Sequence, residues 1–208
     1  MIRTLLENWA LFLGIALLMV SNGLLGTVLT IRGVEIGFDA VTIGLMQAGY
    51  PLGALFGCVV APKLVERVGH IRAFGALASL CSTAAVVHLV TVDPASWGLM
   101  RILAGFCFPG LYVVAESWLN AKSGNESRAR VLSIYFVVGA LGSATGSALA
   151  ALDDPRGILL FGATSILISL ALVPMLLSAV RAPEYAAPER LPAKKLFLIS
   201  PTAVWGPC

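Results

Sequence analysis

Polar positions along the chain are gathered into short clusters, and the stretches between them are apolar over membrane-spanning lengths. A bilayer core of about 30 Å, at 1.5 Å rise per residue, is crossed by roughly 20 apolar residues in a helix. Three stretches reach that length without a charge: Trp9 to Ile31, Ala40 to Pro62 and Gly157 to Val180. Two more, Ala73 to Val92 and Val131 to Leu152, hold one histidine between them, and a sixth, Ala95 to Leu119, is interrupted by Arg101 and Glu116. The pattern predicts an all-α membrane protein built as a six-transmembrane-helix bundle. Asp93-Pro94 and Asp153-Asp154-Pro155 read as tight turns, since Asp starts turns and Pro cannot continue a helix. Connections this short predict that consecutive helices are neighbours. Residues 181–195 read as a linker. The apolar start at 196–208 is too short to cross a bilayer and reads as the beginning of a seventh span; the rival reading is a tail lying on the membrane surface.

Composition sharpens this. Only 12% of the 208 residues are charged and 58% are hydrophobic, with a mean hydropathy of +0.91; a soluble domain carries about 25% charged residues. A disordered chain, a nucleic-acid-binding domain and an ordinary soluble enzyme are excluded. The net charge of +3 says little about partners, but the positions of Lys and Arg set an orientation, because cytoplasmic loops are enriched in them. With the N-terminus inside, eleven of the fourteen basic residues fall in cytoplasmic segments, among them Arg3, Lys63, Arg67, Arg72, Lys122, Arg128, Arg130 and Arg190. Only Arg32 and Arg156 then fall in outer loops. Both termini of the six-helix unit, residues 1–180, are predicted to be cytoplasmic. Cys58, Cys81, Cys107 and Cys208 have no metal or redox spacing and read as small hydrophobes. No cofactor or metal is expected.

Small residues at four-residue spacing let membrane helices approach closely. Gly49, Gly53 and Gly57 mark such a face on the second span, and Gly139, Gly142 and Gly146 one on the fifth. Gln47 points about 160° from Gly49 at 100° per residue, so Gln47 and Tyr50 look away from that face, toward a cavity or a neighbouring helix. On the fourth span Arg101, Phe108, Tyr112 and Glu116 share a sector of about 80°, with Gly105 among them. A charge near the bilayer centre costs about 2.5–3.5 kcal/mol on insertion scales and is functional by default, although Arg101 could also snorkel to headgroups and Glu116 could serve structure alone. Asn22, in mid-membrane, is either interhelical glue or a solute ligand. His70 falls on a loop, and His88 stands alone near the end of the third span.

The connection from Pro62 to Arg72 carries Leu64, Glu66, Arg67 and Gly69 in a pattern that resembles the signature loop of the major facilitator superfamily, G-x-L-A-D-R-x-G-R-R. Pro62 replaces the opening Gly, Glu66 is the longer acid, and His70 and Ile71 stand where two basic residues are usual. A second signature, R-x-x-x-G in the fourth span, is met by Arg101 and Gly105. Arg32 through Gly57, with Glu116-Ser117-Trp118-Leu119-Asn120, resemble the YcaD-like branch. The antiporter signature of the fifth span is not met, since Gly139 to Gly146 contains no Pro. The resemblance implies the N-terminal half of a twelve-span secondary transporter, a 3+3 inverted repeat with the solute site between two halves. It also implies a small organic solute, alternating access and coupling to a proton or another cation. Asn22, Gln47, Tyr50, Arg101, Tyr112 and Glu116 are the expected solute pathway. Glu66, Arg67, Gly69 and Arg72 are the expected cytoplasmic gating motif, in which an acid and basic residues at a helix end form and break an ion-pair latch, with Glu116 as its cross-helix partner. The missing C-terminal half, or a second six-span chain, is the expected protein partner. The rivals are a non-transporting six-span assembly partner, homodimeric by geometry, and a membrane enzyme, which lacks paired histidines, metal spacing or a Ser/His/Asp set.

The threading is tested by single cysteines placed in a background without the native ones. Positions 93 and 153 are expected to label from outside, and positions 122 and 190 only after permeabilisation. External labelling at position 122 would invert the topology.

Overall fold

The computed structural model describes residues 9–122, 125–152, 154 and 158–177; the expected linker and seventh span lie outside these. The described residues form six helices, each long and apolar enough to cross a membrane: α1 (Trp9–Glu35), α2 (Ala40–Val68), α3 (His70–Val90), α4 (Pro94–Lys122), α5 (Asn125–Leu149) and α6 (Ile158–Leu177). Local chemistry sets several of their ends. Asp39 caps α2, its Oδ1 accepting from the Thr42 N–H at 3.1 Å. Hydrogen bonding from Thr42, side chain first and backbone second, holds the Asp39 carboxyl below its ordinary value. Asp93 accepts from the Ser96 N–H at 2.8 Å just before Pro94, whose fixed φ suits a first helical position and whose missing N–H is not needed there.

The stretch from Pro62 to Arg72, expected as a loop, is helical except at Gly69. That glycine has φ +83°, caps the end of α2 with its N–H on the Val65 carbonyl, and precedes α3 directly. A left-handed backbone position of this kind is open to glycine and strained for other residues, so one residue does the work of a loop.

Short connections do not make neighbours here. Among the described residues, α1 packs mainly on α5 and α6, and α4 mainly on α2 and α3, while α1–α2, α2–α3 and α4–α5 barely meet. Of the consecutive pairs described, α3–α4 alone is closely packed, and α3 also packs on α6. Exchanging α1 with α4, α2 with α5 and α3 with α6 leaves this pattern unchanged. A unit of three spans enters its second copy from the opposite side of the membrane, so the two copies are inverted and interleaved. α1 and α4 are the most buried spans, α2 and α5 the least.

The correspondence holds at residue level. α2 maps onto α5 93 positions on (Gly49 to Gly142, Tyr50 to Ser143, Gly53 to Gly146), and α4 onto α1 82 positions back (Gly98 to Ala16, Ile102 to Val20, Gly105 to Gly23, Phe106 to Leu24). In one seam Gly49 faces the Gly98 carbonyl, Gly53 lies on Ile102 and Phe106, and Gly105 lies on Tyr50. In the other Gly142 faces the Ala16 carbonyl, Gly146 lies on Val20 and Leu24, and Gly23 lies on Ser143. Across the remaining α3–α6 contact, Ser82 Oγ meets Ser165 Oγ at 2.7 Å and Ser169 Oγ at 3.3 Å.

A methyl group at Gly53 or Gly146 would overlap a facing backbone carbonyl, whereas one at Gly162 meets nothing within 4 Å. Gly53→Ala and Gly146→Ala are expected to destabilise the detergent-solubilised protein by about 1–3 kcal/mol, the usual cost of overpacking. Gly162→Ala is expected to be neutral. Thermal unfolding checks both, and equal melting temperatures would remove the seams as the main constraint.

Candidate functional site

Four of the expected pathway residues form one polar cluster where α1, α2 and α4 meet. Asn22 of α1 donates from Nδ2 to the Tyr50 hydroxyl of α2 at 3.0 Å. The Arg101 guanidinium of α4 lies over the Tyr50 ring, 4.7 Å from its centroid, a cation–π contact. One turn back along α2, Gln47 donates from Nε2 to Thr30 Oγ1 at 2.7 Å and to the Gly26 carbonyl at 3.3 Å. Asn22 and Gln47 thus both act between helices, and they are the polar links at an α1–α2 contact that is otherwise slight. Arg101 is turned into the bundle and is only 7% exposed, so it does not snorkel. Its Nε and Nη1 are buried without a hydrogen-bond partner. Unmet buried donors are costly, so this cation retains capacity for an acceptor.

Tyr112 follows along the same face of α4, its ring 6.3 Å from that of Phe108 and its hydroxyl buried without a hydrogen bond. Glu116 departs from the stripe. Fifteen residues at 100° each place it about 60° round the helix from Arg101, and it faces α5. With Met19, Tyr135, Phe136, Gly139, Ala140 and Ser143 it lines a cleft of about 290 Å³. The sequence stripe therefore serves two sites: a covered cation among α1, α2 and α4, and an open carboxylate among α1, α4 and α5.

The gating residues Glu66, Arg67 and Gly69, at the end of α2, and Arg72, in the first turn of α3, are exposed. Among the described residues no ion pair joins Glu66, Arg67, Arg72 or Glu116. His70, expected on a loop, opens α3 and is buried. Its Nε2 lies 3.2 Å from Ser117 Oγ and its ring packs 5.7 Å from that of Trp118. The α4 residues that meet this end of α3 are thus Ser117 and Trp118.

Three other placements were not foreseen. Arg32, expected in an outer loop, is in the last turn of α1, 9% exposed, with its guanidinium 5.2 Å from the centroid of the Phe161 ring. His88 is fully buried, with Nδ1 2.6 Å from the Ala84 carbonyl; that contact requires Nδ1 to donate. Trp97 packs against His88 and edge-on to Phe38, and donates to the Thr91 carbonyl at 2.6 Å, closing the end where α3 stops and α4 starts. Among the described residues no group of three or more His, Cys, Asp or Glu is placed to hold a metal ion.

The model of the Major Facilitator Superfamily matches residues 11–207. The chain belongs to that superfamily. An uncharacterised MFS-type transporter of Yersinia pestis (strain Pestoides F) is 25% identical over 166 residues, 80% of this chain and 44% of that protein. The uncharacterised MFS-type transporter YcaD of Salmonella newport (strain SL254) is 30% identical over 140 residues, 67% of this chain and 36% of that protein. The matched stretch thus spans less than half the length of either relative. Six membrane-crossing helices in this superfamily make the chain a multi-pass protein of the inner membrane, of a transporter family.

In a Major Facilitator chain the fourth-span signature R-x-x-x-G has a physical reading here. Both of its residues, Arg101 and Gly105, meet the same partner. Gly105 brings the α4 backbone against the Tyr50 carbonyl, and Arg101 lies over the Tyr50 ring. The glycine sets the distance between helices that the arginine then uses.

Proposed function

We propose that this chain forms one wall of a secondary transporter that moves a small organic solute across the membrane by alternating access. Residues 1–180 supply the N-terminal six-helix half, with both ends cytoplasmic. Residues 181–195 connect it to a second half whose first span begins at 196–208. The lengths of the relatives support that division, since the matched stretch is 44% of one and 36% of the other. The reading rests chiefly on the Arg101 cluster: a guanidinium buried in a membrane-embedded bundle, with unmet donors, held by Tyr50 and Asn22 from two other helices. Structure alone does not require a cation there, because an apolar residue would pack inside the bundle without the cost of burying a charge. Asn22, Gln47, Tyr50, Arg101, Tyr112 and Glu116 line the pathway, and movement of a proton or another cation supplies the driving force.

Glu66, Arg67 and Arg72 act as a latch at the cytoplasmic rim, closed in one state and open in the other. Gly69 supplies the sharp turn between their helices. A two-state element biased by a few ion pairs is sufficient to shift populations. In the full-length transporter, Glu66→Gln and Arg72→Ala are expected to shift the ratio of inward- to outward-facing accessibility by about threefold to tenfold, one RT or two in the bias, with membrane levels unchanged. Accessibility equal to wild type on both sides would leave these residues a topological role only.

Arg101 separates the transport reading from a structural one. Arg101→Lys keeps the charge and loses the planar fork of five donors, and it is expected to slow transport about tenfold, with Arg101→Ala slower again, at about 1.4 kcal/mol per tenfold. Both variants should reach the membrane, since removing a charge does not hinder insertion. Uptake or efflux of a solute found by screening, normalised to protein in the membrane, is the measurement. A wild-type rate for the lysine variant would remove Arg101 from the pathway.

A further inference from the structure

The two charges on α4 are held in opposite ways, and the contrast points to the kind of solute. Arg101 is covered: one face of its guanidinium is occupied by the Tyr50 ring, and its side chain is nearly inaccessible. Glu116 is open. It borders a cleft of about 290 Å³, at the lower end of the range for small-molecule sites.

Apart from Glu116 and Ser143, the walls of that cleft are aromatic, thioether or small and apolar. Tyr135 and Phe136 present two rings whose centroids are 5.4 Å apart and 70° inclined. Met19 brings a polarizable thioether, and Gly139 and Ala140 keep the α5 wall low. Tyr135 lines the same cleft as Glu116. No Lys or Arg lies within ion-pair distance of Glu116 among the described residues. A carboxylate in a membrane-embedded bundle demands a counter-charge or a proton, and what the described residues offer this one is aromatic faces and a thioether. Carboxylate, aromatic rings and thioether together form the environment that recognises an organic ammonium group, through charge on one side and ring quadrupoles on the others.

We propose that the cleft of Glu116, Tyr135, Phe136 and Met19 is a binding site for a small monovalent organic cation, with Glu116 as its counter-ion. This deepens the transport reading, on which it rests for its role, by assigning the solute to the class of substituted ammonium compounds. Arg101, about four helical turns along α4 from Glu116 and covered on one face by Tyr50, stands apart from this cleft. The ring of Tyr135 was not singled out by sequence, because it lies on a different helix from the acid it faces.

The test is equilibrium binding to the purified chain in lipid nanodiscs, with benzyltrimethylammonium as probe and neopentylbenzene, its uncharged isostere, as control. The probe carries a permanent charge, so pH acts on the protein alone. Saturable binding of the ammonium and not of the isostere is expected. Glu116→Gln is expected to weaken it about tenfold, and Phe136→Leu, which keeps an apolar wall and removes the ring, severalfold. Glu116→Asp should restore part of the loss. Phe136 is 66% exposed, so its replacement leaves the core untouched, and circular dichroism with size-exclusion profiles confirms the fold of each variant. Equal binding of probe and isostere, an unchanged affinity in Glu116→Gln, or no saturable binding would each overturn the site, even if transport of an anionic or neutral solute were found. Ammonium binding lost in Glu116→Gln, but with no movement of the probe by the full-length protein, would keep the site and overturn the transport reading instead.

Discussion

Helices in a bilayer gain nothing from hiding apolar surface from one another, because lipid is as apolar as they are. They are held where backbones come close enough for dispersion and weak polar contacts to accumulate, and closeness is set by the absence of side chains. The two glycine seams, α2 on α4 and α1 on α5, supply that condition. The position of every group in the polar cluster depends on the first of them. Gly105 sits on the Tyr50 carbonyl, and that contact fixes where the Tyr50 ring lies. The ring then covers the Arg101 guanidinium, and its hydroxyl reaches Asn22 on α1. Moving α4 outward by the width of a methyl group would break the ring contact and the approach to α1 together.

The inverted repeat makes the specialisation of the site visible. In the register set by the seams, Arg101 corresponds to Met19 and Tyr50 to Ser143. The first pair is a cation on a ring; the second is a hydroxyl donating to a thioether at 4.0 Å. The packing frame has therefore been kept in both copies while the chemistry beside it has diverged. Glycines hold the frame because their replacement is punished by overlap with backbone. Positions next to them are not held by that overlap, and their side chains differ in character between the copies. The consequence is an asymmetric bundle on a nearly symmetric scaffold, with a covered cation in one copy and an open carboxylate bordered by Met19 and Ser143 near the other.

Much of this was legible in the sequence, for physical reasons that differ by feature. Six spans follow from the length of uncharged runs, and the glycine faces follow from four-residue spacing. Neighbours were misjudged because connection length limits only the distance between helix ends. In an interleaved repeat α1 turns from α2 to meet α5 and α6. Gln47 was read as facing away from the glycine face and Asn22 as interhelical glue or a solute ligand, and their partners lie across a helix pair that no local pattern relates. Arg32 looked like a loop charge because it ends an apolar run, but α1 continues to Glu35 and carries it under Phe161. His70 looked like a loop residue because charges surround it. A single positive-φ glycine ends α2 and lets α3 begin at once, which turns the imidazole onto Ser117 and Trp118. Tyr135 opposite Glu116 had no sequence signal, since the pairing depends on the approach of α4 to α5.

The slight α1–α2 contact has a mechanical meaning if the cluster lines a pathway as proposed. Its polar links are amide-to-hydroxyl and amide-to-carbonyl hydrogen bonds from Asn22 and Gln47. Such bonds contribute about 0.6 kcal/mol each on average between membrane helices, far less than a backbone seam lined by glycine. The bundle is thus stiff along two lines and soft along a third. A solute offering its own donors and acceptors can replace the soft links without disturbing the stiff ones, because the glycine contacts carry no side chain to be displaced. The residues suited to meet a solute are then the ones that hold the weakest packed edge, and strong packing elsewhere is what allows that edge to open.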